Sequence, residues 1–197
     1  MLKAKIYIQP EEYLEIERKA KFKSEYFNGE MFALAGTNKE HNIILFNLVR
    51  DLGNQLSDKP CQVFFSDIRV KVSSTGLYTY PDLIVVCGEQ KFEDDKFDTL
   101  LNPTLIIEIL SDSTEAYDRG KKFENYRQLE SLKEYVLVSQ KHIKIENFQR
   151  QADVKWLLTE EGDPEKSIEL ISINCSLNLK EVYKNINFGH QEKSSLK

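Results

Sequence analysis

Leu105-Ile106-Ile107-Glu108-Ile109-Leu110 is an apolar, isoleucine-rich run interrupted by a single carboxylate. Its length and β-branching specify a strand of a sheet covered on both faces. An ionised carboxylate in that position needs a cation, a proton or strong donors. A second such run, Pro81-Asp82-Leu83-Ile84-Val85-Val86-Cys87, carries its only charge at Asp82. Strand alternation puts Asp82 on one face with Ile84 and Val86, and Glu108 on one face with Ile106 and Leu110. If the strands are neighbours and those faces coincide, two acids converge on one point of the sheet. Hard divalent cations such as Mg²⁺ take such oxygen ligands and retain water. The competing account pairs Glu108 with a buried Arg or Lys and leaves Asp82 to end a turn beside Pro81.

Downstream of the acidic strand, Ser111-Asp112-Ser113-Thr114 leads into a helix expected to run to about Glu130. There Asp118 precedes Lys122 by four positions, a favourable helical pair of about 0.2–0.5 kcal/mol. Tyr126 and Leu129 follow along the same side, which directs the Lys122 stem inward. Spacing alone equally fits a solvated pair. Upstream, Pro10 opens a short helix over 10–18, and Asn28-Gly29 turns a hairpin within Glu25–Leu34. A helix over about 38–57 carries His41, Ile44, Leu48 and Leu52 on its apolar face. His41 on that stripe reads first as a core histidine, and Glu25, just ahead of the hairpin, is equally open to a surface reading. Gln62–Val72 reads as one strand with Asp67, Arg69 and Lys71 on a solvated face.

Further strands are expected at Glu134–Val138 and His142–Gln149, with a hairpin over 153–172 turning at Glu161-Gly162-Asp163-Pro164. A short helix near 179–184 follows. This order predicts an α/β or α+β fold: a mixed central sheet flanked by helices, with an N-terminal hairpin and extra C-terminal strands. Residues 1–188 are expected to form one domain, and 189–197 a disordered polar tail.

The 197 residues are 41% hydrophobic and 30% charged, ordinary for one well-cored soluble domain. No apolar run approaches the roughly 20 residues of a membrane span, and no leader pattern opens the chain. A net charge of −5 argues against a protein that coats nucleic acid by phosphate neutralisation. It leaves room for a local basic groove, since Arg119, Lys121, Lys122 and Arg127 concentrate positive charge. Cys61, Cys87 and Cys175 are odd in number and lack a CxxC pair, so neither a disulfide framework nor a zinc site is expected. Cys87 reads as a small buried hydrophobe, and the compartment as a reducing cytoplasm. The motifs of dinucleotide-binding proteins, P-loop NTPases, serine hydrolases and zinc peptidases are absent from the sequence.

Several segments together resemble the Uma2-like (DUF820) family of the PD-(D/E)XK nuclease superfamily. They are Tyr80-Pro81-Asp82-Leu83-Ile84-Val85-Val86, Ile107-Glu108-Ile109-Leu110-Ser111 with Ser113-Thr114, Asp118 through Lys122 to Tyr126, and Glu134-Tyr135. The Glu25…Asn28-Gly29-Glu30 hairpin and His41 match as well, and the likeness spans roughly residues 10–150. The resemblance implies a restriction-endonuclease-like core that cuts phosphodiester bonds, in DNA, with Mg²⁺ or Mn²⁺. Asp82 and Glu108 would hold the metal, helped by a backbone carbonyl near Ile109. The standard superfamily motif has a lysine two residues after the second acid, where this chain has Leu110. The family resemblance instead moves that lysine to Lys122, with His41, Asp118 and Glu25 in support. A homodimer is expected by analogy with enzymes that cut two strands. The rival expectation is a catalytically inactive nucleic-acid-binding or protein-interaction module on the same fold, favoured by the acidic charge and by Leu110.

Overall fold

The computed structural model describes residues 7–152 and 155–188, so the expected tail at 189–197 lies outside the described residues. In chain order the elements begin with α1 (Pro10–Glu17), β1 (Ser24–Phe27), β2 (Glu30–Ala33), α2 (Lys39–Gln55), β3 (Cys61–Phe65), β4 (Arg69–Val72) and β5 (Leu77–Thr79). There follow β6 (Leu83–Cys87), β7 (Thr99–Leu100), β8 (Leu105–Leu110), α3 (Glu115–Tyr117), a π-helical turn (Asp118–Lys122) and α4 (Phe123–Tyr126). The chain continues through β9 (Glu134–Ser139), β10 (Ile145–Arg150), β11 (Trp156–Glu161), β12 (Ser167–Leu170), β13 (Cys175–Asn178) and α5 (Leu179–Val182).

The isoleucine-rich run becomes β8, and all six of its residues are buried. It lies inside a six-stranded mixed sheet of order β11-β10-β9-β8-β6-β3, antiparallel to β6 and parallel to β9. The parallel step from β8 to β9 needs a crossover, which the helical segment 115–126 supplies. One face of β8, with Leu105, Ile107 and Ile109, packs with Leu83 and Val85 against Ile44, Leu48 and Leu52 of α2. The other face, with Ile106 and Leu110, packs against Tyr126, Leu129 and Tyr135. Each such aliphatic side chain contributes about 1.5–3 kcal/mol on full burial, so the two-sided core fixes the strand's register. The N-terminal hairpin is formed by β1 and β2, with Asn28 and Gly29 both at positive φ, and belongs to a second sheet of order β2-β1-β5-β4-β7.

Gln62–Val72 is not one strand. The chain breaks after Phe65, with Ser66 at φ 62°, and the two halves enter different sheets. Arg69 therefore leaves the solvated face expected for it and is buried, with Nη2 2.6 Å from Asp98 Oδ2 and Nη1 donating to the Tyr80 hydroxyl at 2.8 Å. Asp67 stays exposed. The helix expected to reach Glu130 ends at Tyr126 and contains the π turn. The turn forms two residues later than expected, the Lys166 N–H donating to the Asp163 carbonyl at 3.1 Å, and it joins strands of different sheets: β11 pairs with β10, and β12 with β13. Among the described residues the hairpin expected over 153–172 does not form, because pairing follows the apolar faces rather than sequence proximity.

The cysteine reading also needs correction. The β3–β6 register places Cys61 directly opposite Cys87, with Cα atoms 4.0 Å apart, and the two are joined by a disulfide. Cys87, half-buried at the end of β6, thus cross-links that strand to the edge strand β3, and only Cys175 is free. Spacing of 26 residues concealed a register that only the paired strands reveal. Among the described residues no helix is long and apolar enough to cross a membrane.

Candidate active site

Pairing of Leu83 with Ile107 across β6 and β8 continues outward to set Asp82 opposite Glu108. The main chain of β8 holds Asp82 in place, the Ile109 N–H donating to its Oδ2 at 2.7 Å. Its other oxygen, Oδ1, meets His41 Nε2 at 3.0 Å. His41 reaches this point because Asn38 caps α2, its side-chain oxygen accepting from the His41 backbone N–H at 2.9 Å. The imidazole is buried and its Nδ1 has no hydrogen-bond partner among the described residues. His41 therefore belongs to the acid pair as well as to the helix stripe.

Glu108 Oε1 accepts from the Tyr126 hydroxyl at 3.0 Å and lies 2.9 Å from Lys122 Nζ. Among the described residues its Oε2 meets only the backbone N–H of Asp82, at 3.4 Å. Lys122 also lies 3.4 Å from Glu25 Oε1 and 3.4 Å from Asp118 Oδ1, with the Tyr117 ring centroid 5.9 Å away. The π turn sits where these groups are delivered and buries both Asp118 and Lys122. Such turns are rare and concentrate at functional sites. The Asp118 carbonyl is tied back to the sheet by the Tyr135 hydroxyl at 3.0 Å. Lys122 is thus on the inner side of the crossover, and the solvated-pair account of its spacing does not hold.

Glu25 is likewise not a surface residue. It is buried on β1, bonded to the Thr79 hydroxyl of β5. Four carboxylates, Glu25, Asp82, Glu108 and Asp118, thus gather around one lysine and one histidine. Burial raises Glu108 well above the usual carboxylate range, against the pull of Lys122, and the charges of Asp118 and Asp82 add to the rise. Burial also raises Asp118. Burial alone would depress Lys122, but Glu108, Tyr126, Glu25 and Asp118 outweigh it and hold the ammonium protonated. Asp82 is the wettest member, its side chain 22% exposed, and opens the cluster to a cleft of about 830 Å³.

The structure brings together every candidate residue: Asp82, Glu108, Lys122, His41, Asp118 and Glu25. Sequence reasoning missed the Tyr126 phenol as a partner of Glu108, although its place one helical turn after Lys122 was a usable signal. It also missed the bracket behind Asp82, where the Tyr80 hydroxyl donates to Glu17 and accepts from buried Arg69. No sequence pattern announces that bracket. The Ile109 backbone meets Asp82 through its N–H. Among the described residues no three His, Cys, Asp or Glu side chains form a ready-made metal cage.

A family model described as "Uma2: Putative restriction endonuclease" matches residues 10–180. Two Synechocystis proteins, each described as uncharacterized, are similar over most of their length. One, sll1609, is 40% identical over 149 residues, covering 76% of this chain and 84% of that protein. The other, slr1290, is 35% identical over 181 residues, covering 92% of this chain and 94% of that protein. A crystal structure of an Anabaena variabilis protein, described as "a putative nuclease belonging to DUF820", superposes with a TM-score of 0.73 at 16% identity. That match covers 89% of this chain and 97% of the other, and it establishes a shared fold.

Proposed function

The chain belongs to the Uma2 family, and from that premise we propose that it is a metal-dependent endonuclease hydrolysing phosphodiester bonds in DNA. The observation that carries this reading is the approach of Lys122 Nζ to Glu108 Oε1 at 2.9 Å, inside a cluster with a surplus of negative charge.

The donor set fits a Mg²⁺ or Mn²⁺ ion. Mg²⁺ is usually held by one or two carboxylates, waters and substrate phosphate rather than by a cage of protein ligands. Glu108 Oε2, with only its long contact to Asp82 N, and the partly exposed Asp82 carboxylate would hold it. A bound divalent ion would supply charge stabilisation at the phosphate and lower the pKa of a bound water. Lys122, kept protonated by its three acidic neighbours, donates to a phosphate oxygen or to the attacking water and opposes the developing negative charge. Tyr126 fixes the rotamer of Glu108, and His41 with the Ile109 N–H fixes that of Asp82. Asp118 and Glu25 hold the ammonium from its other sides.

Where both strands are cut two such centres are needed, so a homodimer belongs to the proposal. Plasmid cleavage in Mg²⁺ or Mn²⁺ tests the reading: wild type should cut, and Asp82→Ala and Glu108→Ala variants that remain folded should not. The second reading, an inactive binding module, draws on Leu110 standing where the superfamily lysine belongs. It gains if wild type binds DNA but leaves it whole in every divalent metal.

A further inference from the structure

Phe22 is 81% exposed on the rim of the same cleft that holds Asp82, Glu108 and Lys122. Leaving a phenylalanine in water forgoes about 1.5–3 kcal/mol of burial, and any polar residue would serve a plain loop better. The loop is nevertheless held in place. The Lys23 carbonyl accepts from Leu34 N–H at 2.9 Å, Lys23 Nζ donates to the Ser66 carbonyl at 2.6 Å, and Ser24 N–H donates to Glu17 at 2.8 Å. Leu34, 37% exposed, lines the cleft beside it and completes an apolar lip.

The charges of the cleft explain why such a lip would matter. Its lysines are Lys21, Lys23, Lys122 and Lys141. Three of these already face carboxylates: Lys23 with Asp67, Lys122 with Glu108, and Lys141 with Asp112. Lys21 alone, next to Phe22, has no ion-pair partner among the described residues. Phosphate neutralisation, the main source of affinity for continuous duplex, is therefore weak here. Stacking of a base on an aromatic ring contributes about 1–3 kcal/mol and needs a base free of its neighbours.

We propose that Phe22 is a base-stacking residue, with Lys21 on the adjacent phosphate, and that the cleft selects DNA presenting unpaired bases over continuous duplex. This rests on the nuclease reading and adds the substrate form to it. Among groups on the rim, Phe22 offers a face to a base, while Leu34 offers only apolar contact.

The test uses the full chain and fluorescence anisotropy, with a labelled thymidine oligonucleotide and a blunt duplex of equal length, in Ca²⁺ and again in EDTA. Wild type should bind the single strand more tightly. Phe22→Ala should weaken that binding about 5- to 150-fold, the equivalent of one stacked base, and leave duplex binding unchanged. Phe22→Trp should retain it. Equal binding of both probes by wild type, or single-strand binding untouched in Phe22→Ala, overturns the stacking role. A loss accompanied by a lower oligomer mass also overturns it, by assigning Phe22 to a contact between chains. Duplex cleavage in Mg²⁺, measured alongside, separates the outcomes: cutting without single-strand preference removes only the stacking role, whereas neither cutting nor binding removes both readings.

Discussion

Lys122 Nζ lies 2.9 Å from Glu108 Oε1 although one residue ends a π-helical turn and the other is buried in mid-sheet. The contact answers two demands at once. Glu108 gains a cation in a place where an unpaired carboxylate is untenable, and the cluster gains the ammonium that Leu110 cannot supply. Buried pairs of this kind are weak sources of net stability, but removal of one partner is severe.

Removing the charge in Lys122→Met should therefore destabilise the fold by about 3–5 kcal/mol near neutral pH, by chemical denaturation. The loss should shrink on acidification. Burial raises the folded-state pKa of Glu108 and Lys122 pulls it down, so without the lysine the folded variant takes up that proton more readily and gains more stability than wild type as pH falls toward the unfolded value of about 4.3. A stability gap that widens on acidification would contradict the assigned charges.

His41→Ala removes the group that faces Asp82 Oδ1 but no carboxylate. Partners that orient metal ligands typically contribute 10–100-fold to metal affinity or activity. Half-maximal cleavage should accordingly need about 10–100-fold more Mg²⁺, and saturating Mg²⁺ should recover much of the rate. A variant with unchanged metal dependence would show that the Ile109 N–H alone fixes Asp82.

Asp98 joins Arg18 and Arg69, each at 2.8 Å or less. Its bond to Arg18, together with Arg69, lowers its pKa despite partial burial. Asp98→Asn should cost about 1.5–3 kcal/mol at neutral pH. A depressed folded pKa gives stability that is present above the unfolded value of about 3.9 and lost as pH falls below it, so the gap to wild type should close in acid. Thermal melts across that range check the sign.

The Cys61–Cys87 disulfide closes a segment with a sequence separation of 26. Replacing both cysteines with serine should lower stability by about 2–4 kcal/mol relative to the oxidised protein. Thiol titration of the unfolded chain without reductant should find one reactive group, Cys175. Three reactive groups would place the pair in its reduced form.

The fold was readable where hydrophobic pattern and burial coincide. Glu108 stood out because its neighbours left it no solvent, and α2 because its apolar stripe is long and capped by Asn38. The split at Ser66 was hidden, because both halves of 62–72 alternate as strands and only tertiary pairing assigns them to different sheets. The same limit hid the disulfide and the partner of β12. In the site, acids on apolar strands were legible and Lys122 required the family resemblance. Spacing alone left Glu25 open, because a carboxylate beside a tight turn looks solvated until β5 covers it, and only the family resemblance pointed to it. Glu134 is the complementary case: a buried acid beside Tyr135 that is structural, accepting from Asn147 and from the backbone N–H groups of Ile171 and Ser172. It ties the central sheet to the C-terminal strands. Burial of a carboxylate thus marks a site only when its partners are charged and face a cleft.

The most direct test is the rate at which wild type and Lys122→Ala cleave supercoiled plasmid in Mg²⁺, with circular dichroism confirming that both are folded. Metal-dependent cutting by wild type, reduced about 10²- to 10³-fold in Lys122→Ala, is the expected result. Undiminished cutting by Lys122→Ala would contradict the assignment of the missing strand lysine to this helix.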